Sequence, residues 1–181
     1  MDVHLGNEFI SGNNVCLDIL EQFPQYQHLP ISSIKNGGID NYTFRLGKEY
    51  IVKYPKKRCY ASQPVKEHKW LPVIASKINS TNIPKPKALG TPTKFFQHHW
   101  TINTWIEGET LSESEKSLTK TQLNQLSIDI AQFLKELHKA SIENAPKAGE
   151  HNFHRGGSLK ENYDKDMREY INYYRLKPVV W

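Results

Sequence analysis

The sequence predicts an α+β fold: a five-stranded antiparallel sheet with one inserted helix in the N-terminal part, followed by helices alone. Three observations carry this expectation. Short runs rich in β-branched and aromatic residues alternate with glycine turns between Ile31 and Tyr54. A helical apolar pattern from Pro64 to Ile78 interrupts them. After Gly108 the periodicity is that of helices, most regular over residues 121–138.

Taken in order, Val15, Leu17, Ile19, Leu20 and Phe23 make a short helix over Asn13–Phe23, opened by Asn13 or Asn14 and stopped by Pro24. Three strands follow at Ile31–Ile34, Tyr42–Leu46 and Tyr50–Tyr54, with turns at Asn36-Gly37-Gly38 and Leu46-Gly47-Lys48-Glu49; Pro55 ends the third. The helix Pro64–Ile78 has Ser62 as its cap and Val65, Leu71, Ile74 and Ile78 on one face, and Pro72 should kink it or end its first half. Prolines make Ile83–Gly90 extended. Phe95–Ile106 has the composition of two more strands around a turn near Gln97-His98. A lobe boundary near Glu107-Gly108-Glu109 divides the chain into residues 1–108 and 109–181. In the second part Leu123, Leu126, Ile130, Phe133, Leu134 and Leu137 recur at helical spacing behind Thr119 or Thr121. A loop over Glu143–Gly157 and a helix from Leu159 to about Arg175 complete it.

The 181 residues, 38% of them hydrophobic, suffice for one domain with a core and are too apolar for a disordered chain. No run approaches the roughly 18–20 apolar residues of a membrane span, and Met1-Asp2-Val3-His4 does not begin a signal or transit peptide. Cys16 and Cys59 stand in no CxxC or metal-ligand spacing, which fits a reducing cytoplasm. The net charge of +5 lies in one segment. Residues 53–100 carry 10 Lys and Arg against Glu67 alone, whereas residues 1–52 carry 3 against 6 acids and residues 101–181 carry 11 against 12. Such a segment suits a polyanion, either a nucleotide or a nucleic acid; equally, it can be a solvated basic face. The aromatics there, Trp70, Phe95 and Phe96, read as core, which argues against a nucleic-acid surface.

Four features occur in an order that makes joint chemical sense. Gly37 and Gly38 in the first hairpin let backbone N–H groups approach phosphate oxygens. Lys53, on an apolar strand, can set a cation against those phosphates. Glu67, 14 residues later on a helix, can hold that ammonium in place. The strand ending Thr104-Trp105-Ile106-Glu107-Gly108 then leads into helices. This is the nucleotide-holding half of a kinase-type site. Singly, each feature has a plain structural reading: a turn, an edge-strand lysine, a solvent-facing helix acid, and core residues at Trp105 and Ile106.

The runs Asn36-Gly-Gly-Ile-Asp-Asn-Tyr-Thr-Phe-Arg-Leu-Gly47, Tyr50-Ile-Val-Lys-Tyr-Pro55, Glu67-His-Lys-Trp-Leu-Pro72 and Trp105-Ile-Glu-Gly-Glu109 resemble the N-terminal part of the aminoglycoside phosphotransferase family. The resemblance continues through Phe133-Leu-Lys-Glu-Leu-His138 and Asn152-Phe-His-Arg-Gly-Gly-Ser-Leu159. It implies a protein-kinase-like fold, with a nucleotide-binding N-lobe over 1–108 and the start of a helical C-lobe over 109–181. It further implies ATP as cofactor and transfer of its γ-phosphate to a hydroxyl of a small molecule. On that resemblance Gly37, Gly38 and Asn41 belong to the phosphate-covering hairpin, Lys53 holds the α- and β-phosphates, and Glu67 orients Lys53. Thr104, Trp105, Ile106 and Glu107 form the linker whose backbone meets adenine. Many relatives carry arginine where Lys53 stands.

The family's His-Gly-Asp-x-x-x-x-Asn loop and its later Asp-centred metal motif do not occur in these residues. His154-Arg155-Gly156-Gly157 comes nearest, but Gly156 stands where the loop needs its carboxylate. Asp164 and Asp166 read as a solvated helix face, and His98-His99 as a loop or strand pair. Pro178-Val-Val-Trp181 looks like the start of an apolar strand. No catalytic and no metal-binding residue is therefore assigned, although the complete family enzyme uses Mg²⁺. The expectation is a truncated, inactive member of the family whose 121–138 helix exposes an apolar patch. The alternative is a non-catalytic nucleotide-binding module, or half of a split kinase that pairs with a separately encoded C-terminal half.

Overall fold

A computed structural model of the chain describes residues 10–34, 38–114, 117–140, 143–149 and 159–175, and at 112, 113, 159–162, 174 and 175 the backbone alone. Helix α1 (Gly12–Gln22) opens not at Asn13 or Asn14 but at Ser11, through a reciprocal cap. The Ser11 hydroxyl accepts from the Asn14 N–H at 3.2 Å, and the Asn14 amide oxygen accepts from the Ser11 N–H at 3.3 Å. The helix buries Val15, Asp18 and Ile19. Phe23 caps it, and Pro24 begins a short 3-10 turn.

Strands β1 (Ile31–Ser33), β2 (Asn41–Leu46) and β3 (Tyr50–Pro55) form consecutive antiparallel pairs, as the glycine turns predict. Gly47, in the β2–β3 turn, has φ +58°, a left-handed conformation that glycine adopts at little cost. Helix α2 (Gln63–Ala75) starts at Ser62 with proline in its first turn. It runs three residues past Pro72 without breaking there. Its apolar face is only partly buried: Val65 stays 42% exposed, while Ile78, beyond the helix end, enters the interior.

The fourth strand is not where composition places it. Strand β4 is Pro86–Gly90, from the proline-rich segment, and Phe95–Ile106 supplies one strand, β5 (Trp100–Thr104), rather than two. Between them the Thr93 hydroxyl accepts from the N–H groups of Phe95 and Phe96, both at 3.1 Å, and the Thr93 N–H donates to Phe96 O at 2.8 Å. This turn consumes the backbone groups a strand would need and drops the Phe96 ring into the core. Pro86 is tolerated because β4 lies at the sheet edge. The sheet has five antiparallel strands in the order β1-β2-β3-β5-β4.

Strand alternation gives the sheet two distinct faces. Val52 and Tyr54 of β3, with Trp100 and Ile102 of β5, are fully buried in a core shared with Ile10, Val15 and Ile19. Tyr54 stacks on Trp100 with ring centroids 5.1 Å apart, and Phe96 meets Tyr54 edge-on at 5.1 Å. The opposite face carries Lys53, paired with Thr101 across the ladder, and Asn103 two residues further on.

The chain divides into two compact units, Met1–Ser141 and Ile142–Trp181. The first also contains α3 (Leu111–Ser114) and α4 (Lys120–Leu137), the latter capped reciprocally by Thr119 and Gln122. No residue of α4 is buried, and Leu123, Ile130 and Leu134 are exposed. Near its C-terminal end the Glu136 carboxylate accepts from the N–H groups of Asn79 and Ser80, at 2.7 and 3.0 Å. In the second unit, α5 (Leu159–Arg175) carries a surface pair between Asp164 and Arg168 at 2.6 Å, as a solvated face should. Among the described residues no helix is long and apolar enough to cross a membrane.

Candidate functional site

The face of the sheet opposite the aromatic core gathers the predicted cation and its carboxylate. Lys53 Nζ donates to both carboxylate oxygens of Glu67, at 2.8 Å to Oε1 and 2.6 Å to Oε2. Side-chain exposures of 21% and 27% put the pair at the rim of the interior, where water screens it less than on an open surface. An ammonium held by two oxygens keeps a third donor in hand. Asn41, at the start of β2, is opposite Pro55 in the same ladder and shares the Lys53 face.

Two buried polar residues that sequence reasoning passed over stand behind this pair. Asn103, 1% exposed, donates from Nδ2 to Glu67 Oε2 at 3.2 Å. Thr101, fully buried, lies with Oγ1 3.0 Å from Asn103 Oδ1 and 3.2 Å from Ala88 O. The only signal in the sequence was a Thr and an Asn at alternate positions of an apolar strand, in phase with the strand neighbour Lys53.

The linker is fixed more firmly than its sequence indicates. The Thr104 N–H donates to Lys85 O at 2.9 Å, and the Trp105 N–H donates to Glu49 O at 2.7 Å. Both backbone donors are thus committed to the sheet. Trp105 and Ile106 are not the core residues their type suggests: Trp105 is half-buried and Ile106 is 39% exposed. The Arg45 guanidinium lies 4.0 Å above the Trp105 ring, donates to the carbonyls of Gly47 and Lys48, and pairs with Glu107.

Other predicted residues are less gathered. Gly37 lies outside the described residues, as do His154-Arg155-Gly156-Gly157 and Pro178–Trp181. Gly38 is described; its carbonyl accepts from Lys56 Nζ at 2.9 Å, and a Cβ added there would meet nothing within 4 Å. Within the basic segment Lys56, Lys69 and Lys94 lie over Tyr42, Trp70 and Phe95. Phe96 is core and Phe95 packs on it, whereas half-buried Trp70 stands outside the buried cluster. Among the described residues no three His, Cys, Asp or Glu side chains converge to hold a metal ion.

A family model described as the phosphotransferase enzyme family matches residues 33–172. The chain matches no curated protein. Among solved structures it is similar to the GDP complex of wild-type aminoglycoside 2'-phosphotransferase-IIIa, at 16% identity and a TM-score of 0.70, over 95% of this chain and 55% of that one. It is similar to the GDP and kanamycin complex of APH(2")-IIia at 17% identity and a TM-score of 0.66, over 92% of this chain and 53% of that one. It is also similar to the streptomycin-ATP-APH(2")-IIa ternary complex at 22% identity and a TM-score of 0.58, over 96% of this chain and 54% of that one. At these identities the likeness is one of fold, and the chain spans little more than half the length of each structure.

Proposed function

We propose, from the premise that this chain belongs to the phosphotransferase enzyme family, that its sheet holds the triphosphate of a nucleotide. The observation that carries this is the Lys53–Glu67 pair, two oppositely charged groups brought together from a strand and a helix at the edge of the interior. An ion pair there supplies little stability for its desolvation cost, so a role in holding an anion accounts for it better than packing does. Glu67 fixes the ammonium on one side, and the remaining donor of Lys53 meets α- and β-phosphate oxygens. Gly38 and Asn41 border the same hairpin, and Gly37 is assigned with them from sequence. Because Thr104 and Trp105 have already spent their N–H groups, the linker donors for the base fall to Ile106 and Glu107.

The reaction class is transfer of a γ-phosphoryl group from ATP to a hydroxyl of a small molecule. Aminoglycosides are the first acceptors to test, since similar structures hold kanamycin and streptomycin. Mg²⁺ would neutralise charge on the phosphate oxygens, but the described residues form no site for it, and no step is routed through it. The acceptor hydroxyl needs an orienting carboxylate, and residues 1–181 contain no His-Gly-Asp-x-x-x-x-Asn run. We therefore expect nucleotide binding without transfer from residues 1–181, in a nucleotide lobe over 1–108 and the beginning of a helical lobe over 109–181. Free, exposed Cys16 and Cys59 are compatible with the cytoplasm. A second reading, half of a split enzyme that pairs with a separate helical chain, is favoured by the exposed Leu123, Ile130 and Leu134 of α4.

Calorimetric titration of residues 1–181 with ATP, GTP and adenosine in the presence of Mg²⁺ tests the reading. Lys53→Ala should weaken ATP at least about ten-fold while leaving adenosine unchanged. Absence of binding to either nucleotide sinks the proposal. Transfer of labelled phosphate to kanamycin by residues 1–181 sinks its non-catalytic part.

A further inference from the structure

We infer that Asn103 is a positioning residue for the Lys53–Glu67 pair, and that Thr101 supports it by meeting the oxygen end of its amide. The inference rests on the nucleotide-binding reading for its consequence, though not for its geometry. An amide on a strand with 1% exposure is costly to bury unless its polar atoms are met. Both are met here, and in one direction only. The acceptor-only carboxylate of Glu67, with Oε2 3.2 Å from Nδ2, fixes the sense of the amide, and the Thr101 hydroxyl, which also lies 3.2 Å from Ala88 O, completes it by giving its one proton to Oδ1 at 3.0 Å. The reversed amide would present an oxygen to a carboxylate and an NH₂ to the hydroxyl, and the oxygen–carboxylate repulsion disfavours it.

Glu67 belongs to α2, whereas Lys53 and Asn103 belong to β3 and β5 of the sheet. Lys53 alone could follow the carboxylate through many rotamers of its flexible stem. Asn103 has a short, buried side chain and cannot. Oε2 therefore takes one bond from a mobile donor and one from a fixed donor. The fixed bond sets where the carboxylate sits, and hence where the ammonium is held for a phosphate. Thr101, Asn103 and Lys53 share one sheet face through the β3–β5 register, so the relay is written into strand alternation.

The test uses residues 1–181 with Asn103→Leu and Thr101→Val, singly and in a Glu67→Gln background. One readout is the acylation rate of Lys53 by an amine-reactive ester, followed by peptide mass spectrometry against Lys87 as an internal reference. Asn103→Leu should speed Lys53 acylation about three- to ten-fold and Thr101→Val less, with no further effect once Glu67 is Gln. The second readout is ATP affinity, expected to fall about five-fold in Asn103→Leu with adenosine unchanged. Faster acylation without any ATP binding by the parent keeps the positioning role and rejects the nucleotide reading. Parental acylation rates in folded Asn103→Leu reject the positioning role. If that variant does not fold, a parental rate in Thr101→Val rejects it instead.

Discussion

The Tyr54 hydroxyl donates to Asp18 Oδ2 across 3.0 Å, joining β3 to α1 between two fully buried residues. Burial pushes the Asp18 carboxyl up from its ordinary 3.8, against the opposing hydroxyls of Thr93 and Tyr54. The folded chain thus holds this proton more tightly than the unfolded chain. Its contribution is complete below pH 3.8 and is lost as pH rises through the higher folded value. Tyr54→Phe should cost about 1–3 kcal/mol in urea unfolding, because the carboxyl loses a donor. Asp18→Asn should gain stability over the parent as pH rises above 3.8, and a pH-independent difference would contradict the assignment.

Gly90 faces Trp100 across the β4–β5 ladder, and an added Cβ would sit inside the indole. Trp100 is fully buried, stacks on Tyr54 and donates from Nε1 to Thr91 O at 3.1 Å, so it has nowhere to retreat. Gly90→Ala should cost about 3 kcal/mol or more, or yield no folded protein. Gly108→Ala, where nothing lies within 4 Å, should stay within about 0.5 kcal/mol of the parent in thermal melts.

The Glu136 carboxyl is held well below its ordinary 4.5, down to about 2, by the Gln132 side chain and by the backbone N–H groups of Ser80 and Asn79. A depressed folded value contributes stability above pH 4.5 and loses it as pH falls toward about 2. Hydrogen-exchange protection of the Asn79 and Ser80 amides should therefore drop on acidification. In Glu136→Gln it should already be low at neutral pH; unchanged protection there would refute the role.

Leu123, Ile130 and Leu134 expose 40%, 48% and 42% of their surface on α4. The parent chain should associate as its concentration is raised in sedimentation velocity runs, and Ile130→Lys with Leu134→Glu should abolish this. A parent that stays monomeric throughout would remove the support for a covering partner.

The pairing of Lys53 with Glu67 was legible because both ends advertise themselves: a lysine inside an apolar strand and a lone acid in a basic segment. Hairpins β1–β3 and helix α4 were legible because glycine turns and a helical repeat are local signals. Asn103 was not. In sequence, Asn and Thr in a strand look like a solvent-facing edge, and only the packing of α2 over β5 makes them interior. The fourth strand lies away from where composition puts it for a related reason. Composition favours Phe95 and Phe96 over a run containing Pro84 and Pro86, but one threonine hydroxyl closes the aromatic segment into a turn.

The contacts of Arg45 bear on movement. By lying over Trp105 while gripping Glu107 and the β2–β3 turn, it makes the linker a rigid extension of the sheet. Gly108 is the first residue beyond that clamp, and a Cβ there would touch nothing. Whatever the linker grips therefore travels with the strands, while α4 is held to the same unit by a separate set of bonds, from the Glu136 carboxylate to the Asn79 and Ser80 amides.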